Sequence, residues 1–372
     1  MERNRLRKIA DRENPPVRTS LVAFDREDGM IVRRLLLCAL VLTNGCGIGS
    51  AIGQTVDPDQ AKQIFGVLPR IAENPQNPVT PEKVALGKSL YFERRLSKSS
   101  SISCSSCHDL GMAGADGLST SLGYRWQLGP RNAPSVLNAA LEFTQFWDGR
   151  AKDVEEQAKG PIVNPKEMAA TKELVVQRLK SIPEYVDAFH KAFPGEKDPV
   201  SFDNTANAIA AFERTLLTPS RFDRFIAGNT AILTEEEKQG LNTFVSVGCT
   251  TCHNGVDVGG GSFQKFGAIH KVDWLKDLGR YEVTKNEADK YVFKVPSLRN
   301  VALTAPYFND GSVWSLEEAV KTMAYAQLGR TLTDAEAKRI VAFLHTLSAD
   351  PALVVPPPVL PPSSLSTPKP MP

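Results

Sequence analysis

Two copies of one pentapeptide, Cys104-Ser-Ser-Cys107-His108 and Cys249-Thr-Thr-Cys252-His253, constrain this chain more than any other feature. Cys-x-x-Cys-His is what covalent haem attachment requires: two thiols add to the vinyl groups of the porphyrin, and the histidine sits beneath the ring as the proximal iron ligand. Zinc would want four ligands closing a tetrahedron, and an all-cysteine set would leave both histidines idle. A thioredoxin-type dithiol gives the histidines no job. The prediction is two covalently bound c-type haems, held by Cys104, Cys107, His108, Cys249, Cys252 and His253.

The other two cysteines, Cys38 and Cys46, lie in a segment read as discarded. Met30-Ile-Val-Arg-Arg followed by the apolar run Leu35 to Leu42 has the charged start and short apolar core of a secretory signal, with cleavage expected before Gln54. The run is too short to span a membrane. Thr43-Asn44-Gly45-Cys46 is a poor lipoprotein site, so no lipid anchor is expected. Residues 1–29 read as an upstream extension. A mature chain without spare thiols fits an oxidising compartment, and the predicted location is the periplasm. Residues 1–53 hold nine Lys/Arg and six Asp/Glu, leaving 35 basic against 36 acidic groups. Near-neutrality gives nucleic-acid binding no electrostatic footprint.

The surroundings of the two motifs repeat loosely. Gly87 and Phe92 precede the first, and Gly240 and Phe244 precede the second, each on an amphipathic stretch. Thr80-Pro81 reads as an N-cap with proline at the first helical position, and Thr234-Glu-Glu-Glu237 and Thr333-Asp-Ala-Glu336 read as capping boxes. Ile340, Val341, Phe343, Leu344 and Leu347 fall on one face of the last helix. Further helices are predicted over 173–179, 183–193 and 204–217, and strands are a minor component. The fold class is therefore mainly α, with two cytochrome c-like domains, each holding one haem: 54–220 and 221–348. Residues 349–372 are Pro-rich and predicted to be extended or disordered.

Cys-x-x-Cys-His settles only the proximal side of each iron, and the distal ligand separates electron transfer from chemistry. Met323, downstream of the second motif and just before the capped terminal helix, is where a cytochrome c domain places its axial methionine. Met112 lies too close to His108 to reach the opposite face of the ring, and Met168 reads as packing. His190 and His345 read as structural or surface groups, and His270 has no evident partner. The second haem thus reads as His/Met and the first as open to a small oxidant.

At the level of whole segments the chain resembles the bacterial dihaem cytochrome c peroxidases. The resemblance runs from about Pro81 to Ser348 and rests on Gly87-Lys-Ser-Leu-Tyr-Phe-Glu-Arg-Arg-Leu-Ser-Lys-Ser, Gly129-Pro-Arg-Asn132-Ala-Pro-Ser, Phe146-Trp147-Asp-Gly-Arg150 and Pro296-Ser-Leu-Arg-Asn-Val-Ala-Leu-Thr304-Ala-Pro306-Tyr-Phe. It implies reduction of hydrogen peroxide to water, with electrons from a small cytochrome c or a cupredoxin arriving at the C-terminal, high-potential haem and passing to the N-terminal, peroxidatic one. Gln157 and Glu167 match the family's distal pair, where a carboxylate beside an amide handles the protons of peroxide cleavage. Trp147 matches the tryptophan between the haems, and Met323 the axial methionine. Asn132, Thr304 and Pro306 match a calcium site between the domains. Family members are often dimers, which leaves a homodimer open here.

Two positions depart from the family. Tyr124, in Gly123-Tyr-Arg-Trp126, stands where the family has a distal histidine, so it either ligates the iron as a phenolate or points away. Either arrangement implies less need for reductive activation. Asn309 stands where relatives often carry histidine near the second haem. Two rival functions are a MauG-like oxidase that modifies a partner protein and a plain dihaem electron carrier. The first places tyrosine where this chain has Met323; the second has no use for Gln157 and Glu167.

Overall fold

A pair of glycines at helix crossings organises the fold. The structure, a computed structural model, describes residues 55–371; the signal-peptide reading, Cys38 and Cys46 lie outside them. In the first half are α1 (Pro58–Phe65), α2 (Pro81–Tyr91), α3 (Val154–Gln157), α4 (Lys159–Val163), α5 (Lys172–Lys180), α6 (Pro183–Ala192) and α7 (Phe202–Glu213). The second half adds α8 (Arg221–Ile226), α9 (Glu235–Val247), α10 (Tyr281–Thr284), α11 (Leu316–Leu328) and α12 (Asp334–His345). A two-stranded antiparallel ribbon, β1 (Phe263–Lys265) with β2 (Val292–Lys294), pairs Phe263 with Lys294. The molecule is mainly helical, as expected.

The predicted caps are present. Thr80 accepts a hydrogen bond from Lys83 N, and reciprocal capping boxes start α9 at Thr234 and α12 at Thr333. The loose repeat before each motif has a steric cause. A Cβ at Gly87 on α2 would lie 1.8 Å from the Ala208 carbonyl oxygen of α7, and one at Gly240 on α9 would lie 2.0 Å from that of Arg339 on α12. Each glycine also faces an aromatic residue's Cβ at 3.0 Å, Phe212 or Phe343. Both halves thus cross their leading helix over a partner at backbone contact, a distance that admits no side chain.

Two apolar clusters result. The first gathers Leu90, Tyr91, Leu179, Phe189, Ile209 and Phe212. The second gathers Phe222, Leu241, Phe244, Ile340, Phe343 and Leu344, with Phe222 edge-on to Phe343 at 5.2 Å. Phe65 of α1 belongs to the second cluster, edge-on to Phe222 at 5.1 Å, and Val56 N donates to Asn242 Oδ1 at 2.6 Å. The first helix of the described chain therefore packs on its second half.

The Pro-rich tail runs as an extended segment along the first half. It has no helix or strand, yet Leu353 and Val355 pack on the first cluster. Its carbonyls are taken up by Arg95, which reaches Pro361 O at 2.8 Å, and by Arg178. Proline presets an extended backbone and leaves carbonyls free to accept, so ordering such a segment costs little entropy once donors face it.

A buried ion pair ties α3 to α7. Arg214 donates to both oxygens of Glu155 at 2.9 and 2.7 Å, and Asn74 and Asn77 add amide donors at 2.9 and 3.0 Å. Burial alone would raise the Glu155 carboxyl, but Arg214 and the two amides outweigh it and hold it at about 2. A carboxyl held below its unfolded value stabilises the fold above that value and loses the contribution as pH falls. We expect about 3 kcal/mol from this group to disappear between roughly pH 4.5 and 2. Chemical denaturation across that range measures it, and an Arg214→Leu variant should show a much shallower acid loss.

Candidate active site

Each Cys-x-x-Cys-His motif opens as a single helical turn, at Cys104–Ser106 and Cys249–Thr251, and lines its own cavity. His108 and His253 are each enclosed in the wall of one cavity. Burial lowers both imidazoles, His253 to about 4, so each is neutral and able to ligate iron. His108 Nδ1 lies 2.9 Å from the Pro134 carbonyl, which fixes that nitrogen as the donor and leaves Nε2 for a metal. His253 Nδ1 is buried with no hydrogen-bond partner among the described residues. Burial also pushes the Cys107 thiol up to about 11 and that of Cys249 up to about 12, so both stay protonated. Paired thiols, a buried neutral histidine and a mostly apolar hollow fit a covalently attached haem at each motif.

The second cavity brings Met323, on α11, to the same hollow as His253, Cys249 and Cys252. Ile340 and Leu344 of α12 wall it, the face that the helical spacing indicated. Met112 is half exposed. Met168 is buried in the first cluster and also lines the first cavity.

Gln157 and Glu167 both line the first cavity with His108, Cys104 and Cys107. Glu167 Oε1 accepts from Asn164 Nδ2 at 2.7 Å, within a turn closed by Glu167 N donating to Asn164 O at 3.0 Å. Burial raises the Glu167 carboxyl, while Arg150 and the Asn164 amide pull part of the way back. Arg150 lies in the same wall with its guanidinium 3.4 Å from the Phe146 ring centroid. Sequence reasoning assigned no role to Asn164 or Arg150. The signal was available, since Asn164 stands one turn before Glu167 and Arg150 ends the Phe-Trp-Asp-Gly-Arg segment.

Tyr124 is not in the cavity wall, although its neighbours Leu122 and Gly123 are. Its hydroxyl is buried without a hydrogen-bond partner among the described residues, and Lys98 Nζ lies 5.3 Å from its ring centroid. The backbone explains this placement. A Cβ at Gly123 would sit 1.9 Å from the Lys166 carbonyl oxygen, and Tyr124 N donates to Glu167 O at 2.7 Å, so this loop presses its main chain against the Glu167 turn.

Trp147 lines both cavities, its indole donating to Asn132 O at 3.0 Å and its carbonyl accepting from Lys294 N at 2.8 Å. Glu142 and Lys294, an ion pair unseen in the sequence, also share this wall. Asn132, Thr304 and Pro306 line the second cavity together, and Asn309 joins them, donating to Asp277 Oδ2 at 3.0 Å. No helix among the described residues is long and apolar enough to cross a membrane.

Comparison with known proteins agrees with this geometry. A family model described as di-haem cytochrome c peroxidase matches residues 81–231. Cytochrome c551 peroxidase of Pseudomonas aeruginosa is 50% identical over 318 residues, covering 84% of this chain and 92% of the relative. Cytochrome c551 peroxidase of Nitrosomonas europaea is 50% identical over 343 residues, covering 91% and 98%. Methylamine utilization protein MauG of Methylorubrum extorquens is 35% identical over 343 residues, covering 87% and 96%. A crystal structure of a MauG-like protein associated with microbial copper homeostasis superposes with a TM-score of 0.69 at 31% identity, covering 76% and 94%.

Proposed function

The chain belongs to the di-haem cytochrome c peroxidase family, and on that premise we propose that it reduces hydrogen peroxide in the periplasm with electrons from a small cytochrome c or a cupredoxin. Bound at the two motifs, the haems would supply one-electron transfer at the C-terminal site and peroxide reduction at the N-terminal site. His253 and Met323 would hold the C-terminal haem, and His108 would hold the N-terminal one. In this reading the two apolar clusters mark two haem domains dividing near residue 220.

Glu167 carries the proposal. A carrier of electrons has no need of a buried carboxylate facing its cofactor cavity, whereas peroxide cleavage needs a base for the near oxygen and an acid for the departing one. Glu167 takes the first proton and returns it, Gln157 orients the peroxide by its amide, and Asn164 fixes the carboxylate rotamer. Trp147, standing between the cavities, is the aromatic bridge for electrons. Asn132, Thr304 and Pro306 would offer oxygen ligands to calcium near that bridge. Tyr124 lies outside the cavity wall, which supports a peroxidatic site open to a small oxidant, and the enzyme should react without prior half-reduction. A low-spin bis-nitrogen spectrum of the first haem in the oxidised protein contradicts that.

Stopped-flow mixing of the half-reduced protein with hydrogen peroxide tests the whole reading. Rapid two-electron oxidation with turnover of a reduced cytochrome is the expected result. Inertness leaves an electron carrier, and a long-lived oxidised state discharged only by a protein substrate identifies a MauG-like activity.

A further inference from the structure

We infer that the C-terminal segment is a strap that positions the Glu167 turn, acting through Arg178 as a positioning residue; the catalytic consequence rests on the role proposed for Glu167. Arg178, on α5, is fully buried and has no carboxylate within ion-pair distance among the described residues. All five of its N–H groups go to carbonyls. Three belong to the turn before the first motif, Arg95 O at 2.8 Å, Ser97 O at 2.5 Å and Lys98 O at 3.1 Å. The other two belong to the tail, Pro368 O at 3.2 Å and Lys369 O at 2.9 Å. A buried cation whose hydrogen bonds all go to carbonyls tolerates the loss of none of them easily.

The connection from this cation to the cavity is short. Met371 N also donates to Lys98 O, at 3.0 Å, so the tail holds that residue once directly and once through Arg178. Lys98 N in turn donates to Met168 O at 2.8 Å, the residue after Glu167. On the other side Tyr124 N holds Glu167 O, and the Lys98 ammonium lies over the Tyr124 ring. The successive carbonyls of Glu167 and Met168 are thus held by two segments that meet at Lys98, and the tail holds Lys98. Further anchors, Ser363 Oγ to Arg95 at 3.0 Å and Thr367 Oγ1 to Ser181 Oγ at 2.8 Å, keep the strap in register.

The test is a holoenzyme ending at Pro358, which retains the Leu353 and Val355 packing and removes the strap. We expect its reaction with hydrogen peroxide to slow about tenfold or more, as a misplaced catalytic group does. The first haem's absorption and EPR spectra should change, the second haem's spectra should not, and a synthetic peptide of residues 359–372 should restore both rate and spectrum. Unchanged rate and spectra overturn the inference, as does equal disturbance of both haems without rescue, which would mark a merely general support. Glu167→Gln measured in parallel separates the premises: if it reacts normally, the role of Glu167 fails, while the first-haem spectrum of the shortened chain still decides the strap. If the shortened chain yields no folded holoenzyme, full-length Met371→Pro removes only the amide that reaches Lys98. It should slow the peroxide step about threefold, and an unchanged rate and first-haem spectrum there overturn the inference.

Discussion

Replacing Glu167 by glutamine should slow peroxide cleavage by roughly 10²- to 10⁴-fold, the usual contribution of a positioned general acid–base group. The substitution keeps the shape of the side chain, and its amide oxygen can still accept from Asn164 Nδ2. What it removes is the ability to take a proton and return it. Haem content, both spectra and reduction by the donor should therefore stay as they are. The pH profile gives an independent check. Burial raises the Glu167 carboxyl above the ordinary range. The carboxylate is the base, so the native rate should fall as pH drops through that raised value, with an acid limb less acidic than an ordinary glutamate would give. In Glu167→Gln that limb should vanish along with the rate. A variant that reacts at the native rate removes Glu167 from the mechanism.

Gly240→Ala should be the most damaging single methyl group that can be added to the second cluster. Gly240 lies within α9, where intrinsic propensity favours alanine by about 1 kcal/mol. The crossing with α12 reverses the sign. The new Cβ would stand 2.0 Å from the Arg339 carbonyl oxygen and 3.0 Å from Phe343 Cβ, and the obstacle at the shorter distance is backbone. α9 and α12 would have to separate, opening the packing of Phe244 and Phe343, whose rings lie 5.2 Å apart. A cost of about 3 kcal/mol or more is expected, at the upper end for overpacked cores. Thermal unfolding read at each haem should show the loss first at the second site, and Gly87→Ala should reverse the order. A stability change within about 0.5 kcal/mol, normal for surface positions, would mean the crossing can relax.

Much of the local structure was legible because it is dictated locally. Thr80, Thr234 and Thr333 announce helix starts through side-chain oxygens that reach backbone amides three residues on. The apolar spacing of Ile340 and Leu344 marks a face that indeed walls a cavity. The two motifs state the cofactor chemistry by composition alone. What escaped notice depends on residues distant in sequence. Nothing near Arg178 indicates that its partners include carbonyls 190 and 191 positions away. Nothing in Gly-Tyr-Arg-Trp says that the loop's main chain will press on Lys166. The Glu142–Lys294 pair is likewise invisible until β2 brings lysine beside the wall that Trp147 occupies.

The two chain ends serve opposite halves. Phe65, near the beginning, completes the cluster built by Phe222 and Phe343, while Leu353 and Val355, near the end, complete the one built by Leu90 and Phe212. The halves are interlocked like clasped hands and are not beads on a string. A cut near residue 220 would hand each fragment the other's closing piece, so these halves cannot be exchanged as modules without carrying α1 and the segment of Leu353 and Val355 along.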